Sequence, residues 1–164
     1  MKSSLHKTRN DLREPTRRSM IDLLNQQLAD VLDLVLQAKQ AHWNVKGPHF
    51  IGLHELFDKV AEELEEFTDN IAERAVELGG VAQGTVQVIA KRSKLGAYPL
   101  TITSGKEHVA ALSDALARFG ASGRAAIDKA GRAGDADTAD LFTEVSRGMD
   151  KLLWFVEAHG QAKE

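Results

Sequence analysis

Two long amphipathic segments, separated by Gly47 and Pro48, constrain the fold of this chain most strongly. In both segments apolar residues recur at steps of three and four, which places them along one stripe of an α-helix. Pro15 suits the first turn of the first helix, and Gly47 followed by Pro48 predicts where that helix stops. The second stripe spans residues 50–78, or about 45 Å of helix. The chain therefore begins with a pair of long helices.

A long connection and two further helices are predicted for the rest of the chain. The second helix ends at Gly79-Gly80, and residues 80–104 form a crossover in which 81–89 favour a short helix. The remaining helices have recognisable caps, Ser104 for a third that runs to about Ala133, and Asp135 or Asp137 for a fourth. We therefore expect an all-α fold, a ferritin-like four-helix bundle whose long crossover carries a short helix between helices 2 and 3.

Charge divides the chain into an arm and a body. Residues 1–18 carry a net charge of +4, whereas the whole chain carries −3. We expect residues 1–14 to be a flexible basic arm and residues 15–160 to form the bundle as one domain. Cysteine is absent, so disulfides and thiolate metal sites are excluded. No apolar run is long enough to span a membrane and no signal peptide is recognisable, which predicts a cytoplasmic protein.

Candidate metal ligands concentrate on the second helix. His54 and Asp58 are four residues apart and project from nearly the same side, and Asp69 and Glu73 repeat that spacing. Three helical turns separate the two pairs, so all four side chains share one broad arc. His42 lies near the end of the first helix. Imidazole and carboxylate together suit iron or another first-row divalent metal.

One distance indicates that a second chain takes part. Asp58 and Asp69 lie about 16 Å apart along the helix, whereas metal–ligand bonds are about 2 Å long. A copy of this helix related by a two-fold axis would bring one pair beside the other pair of its partner. A site inside the bundle would need Glu-x-x-His motifs, and none of the six histidines has one. The alternative to a metal site is an ordinary solvated helix face.

The residues around these ligands resemble those of the Dps family, the DNA-binding proteins from starved cells. The likeness covers nearly the whole chain after residue 10. Its motifs include His42-Trp43-Asn44-Val45-Lys46-Gly47, His54-Glu55, Asp58, Asp69-Asn70-Ile71-Ala72-Glu73-Arg74, Tyr98-Pro99-Leu100, Asp137-Thr138-Ala139-Asp140 and Leu153-Trp154.

The resemblance implies an iron-storage ferroxidase that protects DNA from oxidative damage. Twelve subunits, built from two-fold dimers, would form a hollow shell that stores ferric oxyhydroxide. Ferrous iron would be oxidised at a di-iron site, preferentially by hydrogen peroxide. By the same resemblance, His42, His54 and Asp58 would come from one subunit, and Asp69 and Glu73 from its two-fold partner.

Three further assignments leave alternatives open. Trp43 either intercepts stray oxidising equivalents or packs at an interface. Asp137 and Asp140, with Glu144, resemble the lining of pores through which iron enters, although Asp137 could instead cap a helix. The arm residues Lys2, Lys7, Arg9 and Arg13 could bind DNA without sequence selectivity. The alternative function is therefore a nucleoid-associated DNA-compacting protein in which the shell is a scaffold.

Overall fold

The computed structural model describes residues 5–161, which contain five helices and no strand. The helices are α1 (Glu14–Asn44), α2 (Phe50–Glu77), α3 (Val86–Arg92), α4 (Gly105–Ala133) and α5 (Ala136–Gln161). The all-α fold and the short helix in the crossover are thereby confirmed. Within the described part of the chain, no helix is long and apolar enough to cross a membrane.

The four long helices form a closed bundle in which α1 packs on α2 and α4, and α5 packs on α4 and α2. The N–H of Lys46 donates to the carbonyl of Thr103 (2.9 Å), so α4 begins where α1 ends. At the other end, the Arg74 side chain of α2 contacts Asp135, directly before α5. Helices α2 and α4 therefore run parallel, which is why a long crossover must connect them.

The bundle core is built from the apolar stripes that the sequence predicts. Its largest fully buried side chains include Phe57 of α2, Phe119 of α4 and Phe142 of α5. Burial of one such side chain stabilises the fold by about 1.5–3 kcal/mol. The opposite face of each long helix is exposed.

Two helix boundaries differ from the expected positions. Helix α1 ends at Asn44 rather than at Gly47, because Val45 is extended and Lys46 pairs with the loop before α4. Helix α3 begins at Val86, five residues later than predicted. Asn25 of α1 keeps the segment before α3 out of the helix. Its amide nitrogen donates to the carbonyl of Val81, and its oxygen accepts from the N–H of Gln83.

The predicted caps explain where α4 and α5 begin. Ser104 and Glu107 form a capping box, in which the Ser104 hydroxyl accepts from the Glu107 N–H. In return, the Glu107 carboxylate accepts from the Ser104 hydroxyl (2.7 Å) and the Ser104 N–H (3.1 Å), and these two bonds lower the pKa of Glu107. For α5, Asp135 accepts from the Thr138 N–H (3.0 Å) and the Thr138 hydroxyl (2.6 Å). Asp135 is therefore the cap, and Asp137 is not.

Residues 5–13 have no regular secondary structure and lie against the bundle. The N–H of His6 donates to the carbonyl of Gly79 (2.8 Å). Arg17 donates to the carbonyls of Leu12 (3.1 Å) and Leu78 (2.9 Å), while Leu5 and Leu12 pack on the core. This part of the predicted arm is thus held by backbone and apolar contacts at the end of α2.

Candidate metal centre

His42 and His54 are the most closely connected residues of the candidate site. The two rings stack, with centroids 3.7 Å apart and planes 21° from parallel. Nδ1 of His42 donates to the carbonyl of His54 (2.7 Å), and Nδ1 of His54 donates to the carbonyl of His42 (2.8 Å). The reciprocal bonds join the last turn of α1 to the first turns of α2.

These bonds determine which ring nitrogen can bind a metal. A carbonyl oxygen can only accept, so Nδ1 of each ring must carry the hydrogen. Nε2 of each neutral ring then keeps its lone pair, and no residue among 5–161 occupies it. Backbone hydrogen bonds that set the tautomer in this way are the usual support of metal-binding histidines.

Asp58 lies one helical turn beyond His54 and is paired with Lys39 of α1. The Lys39 Nζ atom is 2.5 Å from Asp58 Oδ1. This hydrogen bond is the main cause that lowers the pKa of Asp58, and the nearby His42 and His54 act in the same direction. Asp58 is therefore ionised at neutral pH, but a metal ion must compete with the lysine for it.

Asp69 and Glu73 are exposed on the same continuous helix. Because α2 is unbroken, the axial separation of about 16 Å between Asp58 and Asp69 holds in the folded chain. The structure thus brings the rings of His42 and His54 together, with Asp58 one turn away and paired with Lys39, and leaves Asp69 and Glu73 apart from them. Among residues 5–161, no group of three or more His, Asp or Glu side chains is close enough to hold a metal.

Trp43 adjoins His42 at the surface of the bundle. Its side chain is 63% exposed, and Nζ of Lys39 lies 5.9 Å from the ring centroid. Lys39 therefore touches both a predicted ligand and the neighbouring indole. Sequence reasoning missed this lysine, whose only signal was its position three residues before His42.

The predicted pore residues lie on one exposed face of α5, with Asp137, Asp140 and Glu144 at helical spacing. Arg74 supports the start of this face through buried contacts to Asp135 (2.8 Å), and its Nη2 lies 3.8 Å from Asp137. Since Asp135 caps the helix, the Asp137 carboxylate is not needed for that purpose.

The predicted DNA-binding residues are distributed along the N-terminal segment. Lys7, Arg9 and Arg13 are exposed, whereas Lys2 lies outside the described residues. Lys7 and Arg9, with Arg17 and Arg18 of α1, line an open groove between this segment and the bundle.

Comparison with known proteins places this geometry in a family. Residues 21–162 match the model of the ferritin-like domain family, so the chain belongs to the ferritin-like proteins. A DNA protection during starvation protein from Agrobacterium fabrum is 48% identical over 158 residues, which cover 96% of this chain and 98% of that protein.

Solved structures agree with the sequence comparison. DpsC from Streptomyces coelicolor superimposes with a TM-score of 0.93 at 30% identity, covering 98% of this chain and 94% of that one. Dps from Mycobacterium smegmatis gives a TM-score of 0.90 at 33% identity, covering 95% of each chain. Within the ferritin-like family, this chain is a Dps protein.

Proposed function

We propose that this protein is an iron-storing ferroxidase whose catalytic site is completed by a second subunit. Iron storage and DNA protection are the general functions of its family. The observation that carries the proposal is the reciprocal hydrogen bonding of His42 and His54, which leaves two Nε2 atoms free next to the ionised Asp58. A solvated helix face has no need to set both tautomers.

The pattern of α2 supports a two-fold partner. Residues 54 and 73, like 58 and 69, are placed symmetrically about the midpoint of residues 63 and 64. Ile51 and Val76 are symmetric about the same point, and they are 60% and 54% exposed on the same face. A two-fold axis at this level would bring His54 near Glu73 of the partner subunit and bury both apolar residues.

The proposed site suits ferrous iron as its substrate. Two imidazoles and three carboxylates would provide the nitrogen and oxygen ligands that iron accepts, leaving positions for an oxidant. Hydrogen peroxide takes up two electrons, so two irons at one site would reduce it without release of hydroxyl radical. Ferric product would be stored inside a dodecameric shell, which Asp137, Asp140 and Glu144 would supply through acidic pores.

The direct test is anaerobic addition of ferrous iron and hydrogen peroxide, followed by ferric absorbance. We expect rapid oxidation of about two irons for each peroxide. Rapid oxidation should be lost in the His54→Ala, Asp58→Ala double variant. Glu55→Ala is the matched control, since Glu55 is an exposed neighbour on the same helix. Unchanged kinetics in the double variant would contradict the site.

The alternative function, a DNA-compacting scaffold, would need an N-terminal segment that is free to contact DNA. Residues 5–13 are attached by the bond from His6 to Gly79, by the bond from Arg17 to Leu12 and by apolar contacts with the core, which supports protection of DNA by removal of iron and peroxide rather than by contact. We expect no retardation of DNA in a gel shift at physiological salt. Retardation that disappears in a Lys7→Gln, Arg9→Gln variant would instead support direct binding.

A further inference from the structure

A buried tyrosine–histidine pair lies outside the proposed metal site. The Tyr98 hydroxyl, from the crossover, is 2.8 Å from Nδ1 of His108 in α4, and the rings are nearly parallel at 18°. His108 is only 1% exposed, and Tyr98 is partly buried against the core. The iron chemistry described above uses neither residue.

The pair lies next to the buried face of α2, the helix that also carries His54 and Asp58. The His108 ring is 6.5 Å from that of Phe57, which directly precedes Asp58 in the chain. Gly105, one turn before His108, lies so close to Leu53 that an added Cβ would collide with that side chain.

The chemistry of the pair favours coupled loss of an electron and a proton. Burial raises the pKa of the Tyr98 phenol and lowers the pKa of His108, so the phenol does not ionise by itself at neutral pH. A tyrosine that loses an electron becomes a strong acid, and the imidazole is positioned to accept its proton. The transfer leaves a neutral phenoxyl radical beside a protonated imidazole, so no positive charge remains on the phenol.

We propose that Tyr98 and His108 form a redox site that consumes one-electron oxidants escaping from the metal centre. This inference rests on the proposed function for its oxidant, a hydroxyl radical formed when a single ferrous ion reduces peroxide. The O–H bond of Tyr98 breaks, its proton bonds to Nδ1 of His108, and its electron reduces the radical to hydroxide. A further ferrous ion then returns one electron to the phenoxyl radical, and the proton moves back.

The composition of the chain makes the site testable without iron. Tyr98 is the sole tyrosine, and Trp43 and Trp154 are the two tryptophans. In a Trp154→Phe background, azide radicals produced by pulse radiolysis oxidise Trp43 in the assembled, iron-free protein. Electron transfer from Tyr98 to the Trp43 radical then appears as loss of the indolyl absorbance and growth of the phenoxyl absorbance.

We expect phenoxyl formation in this background and its slowing in D2O. His108→Gln, which keeps a hydrogen-bonding amide but no base, should slow it by about 100-fold. Tyr98→Phe should abolish it and serves to identify the signal. Absence of a phenoxyl signal, or an equal rate in H2O and D2O, would overturn the proposal even if the His108 variant did not fold.

A second measurement links the pair to iron. With ferrous iron and peroxide, Tyr98→Phe should release more spin-trapped hydroxyl radical while oxidising iron at the parent rate. Equal trapping in the two proteins would overturn the proposed role in protection. Because radiolysis uses no iron, a failed ferroxidase would leave its result unchanged, and the two proposals can fail separately.

Discussion

The contact between Arg74 and Asp135 offers a sharp test of how the two halves of the bundle are joined. The two side chains are 11% and 1% exposed, and Nη2 lies 2.8 Å from Oδ1. Arg74→Ala leaves the Asp135 carboxylate buried without its cation, which typically costs about 3–5 kcal/mol. Asp135 keeps two donors from Thr138, so we expect the lower end, about 3 kcal/mol.

For a chain of this size, that loss lowers the melting temperature by about 6–12 °C. The matched control is Arg124→Ala, which removes an equally short Arg–Asp pair (2.9 Å) between α4 and α5. Because both partners of that pair are exposed, its loss should cost less than about 1 kcal/mol.

Thermal and urea denaturation would be followed by circular dichroism at one protein concentration, since assembly also stabilises the fold. Changing Asp135 to asparagine in the Arg74→Ala protein should recover much of the stability, because the amide oxygen can still cap α5 without a buried charge. Equal losses in Arg74→Ala and Arg124→Ala would refute the argument that burial makes the first pair important.

Further predictions concern the metal site and a helix cap. Lys39→Met should raise the pKa of Asp58 towards its ordinary value in an NMR titration and tighten anaerobic ferrous binding by up to about fivefold; weaker binding would show that Lys39 assists the metal. Since the folded pKa of Asp58 is lowered, its pairing stabilises the protein above the unfolded pKa and is lost as pH falls through the folded pKa. A calorimetric melt from pH 6 to about 3 should show this loss in the parent and less of it in Lys39→Met. Ser104→Ala should cost about 1 kcal/mol and raise the pKa of Glu107, and an unchanged melting temperature would contradict the capping box.

Periodicity alone predicted the long helices, because each must bury a stripe that is visible in the sequence. The C-terminus of α1 and the N-terminus of α3 differ from the predicted positions. Hydrogen bonds to Thr103 and Asn25 outweigh the local helical preference of the chain there. Asp135 rather than Asp137 caps α5, which spacing could not decide. Boundaries therefore depend on contacts that are remote in the chain.

The candidate site likewise has one part that the sequence predicts and another that depends on tertiary contacts. The spacing of Asp58 and Asp69 within one helix was enough to predict that the proposed site needs a second chain, since helix geometry is local. The reciprocal bonds of His42 and His54 depend on how the loop after α1 turns back onto α2, and no pattern in the sequence predicts that. The pairing of Lys39 with Asp58 likewise joins residues 19 positions apart.

The claim that two subunits share one site is tested most directly by complementation. One variant lacks His54 and Asp58, and the other lacks Asp69 and Glu73, so each alone should be inactive. After the two are dissociated, mixed equally and reassembled, half of the two-fold dimers are mixed and each holds one intact site. We predict about a quarter of the parent rate of iron oxidation. No recovery in shells shown to be mixed would contradict a site shared between subunits.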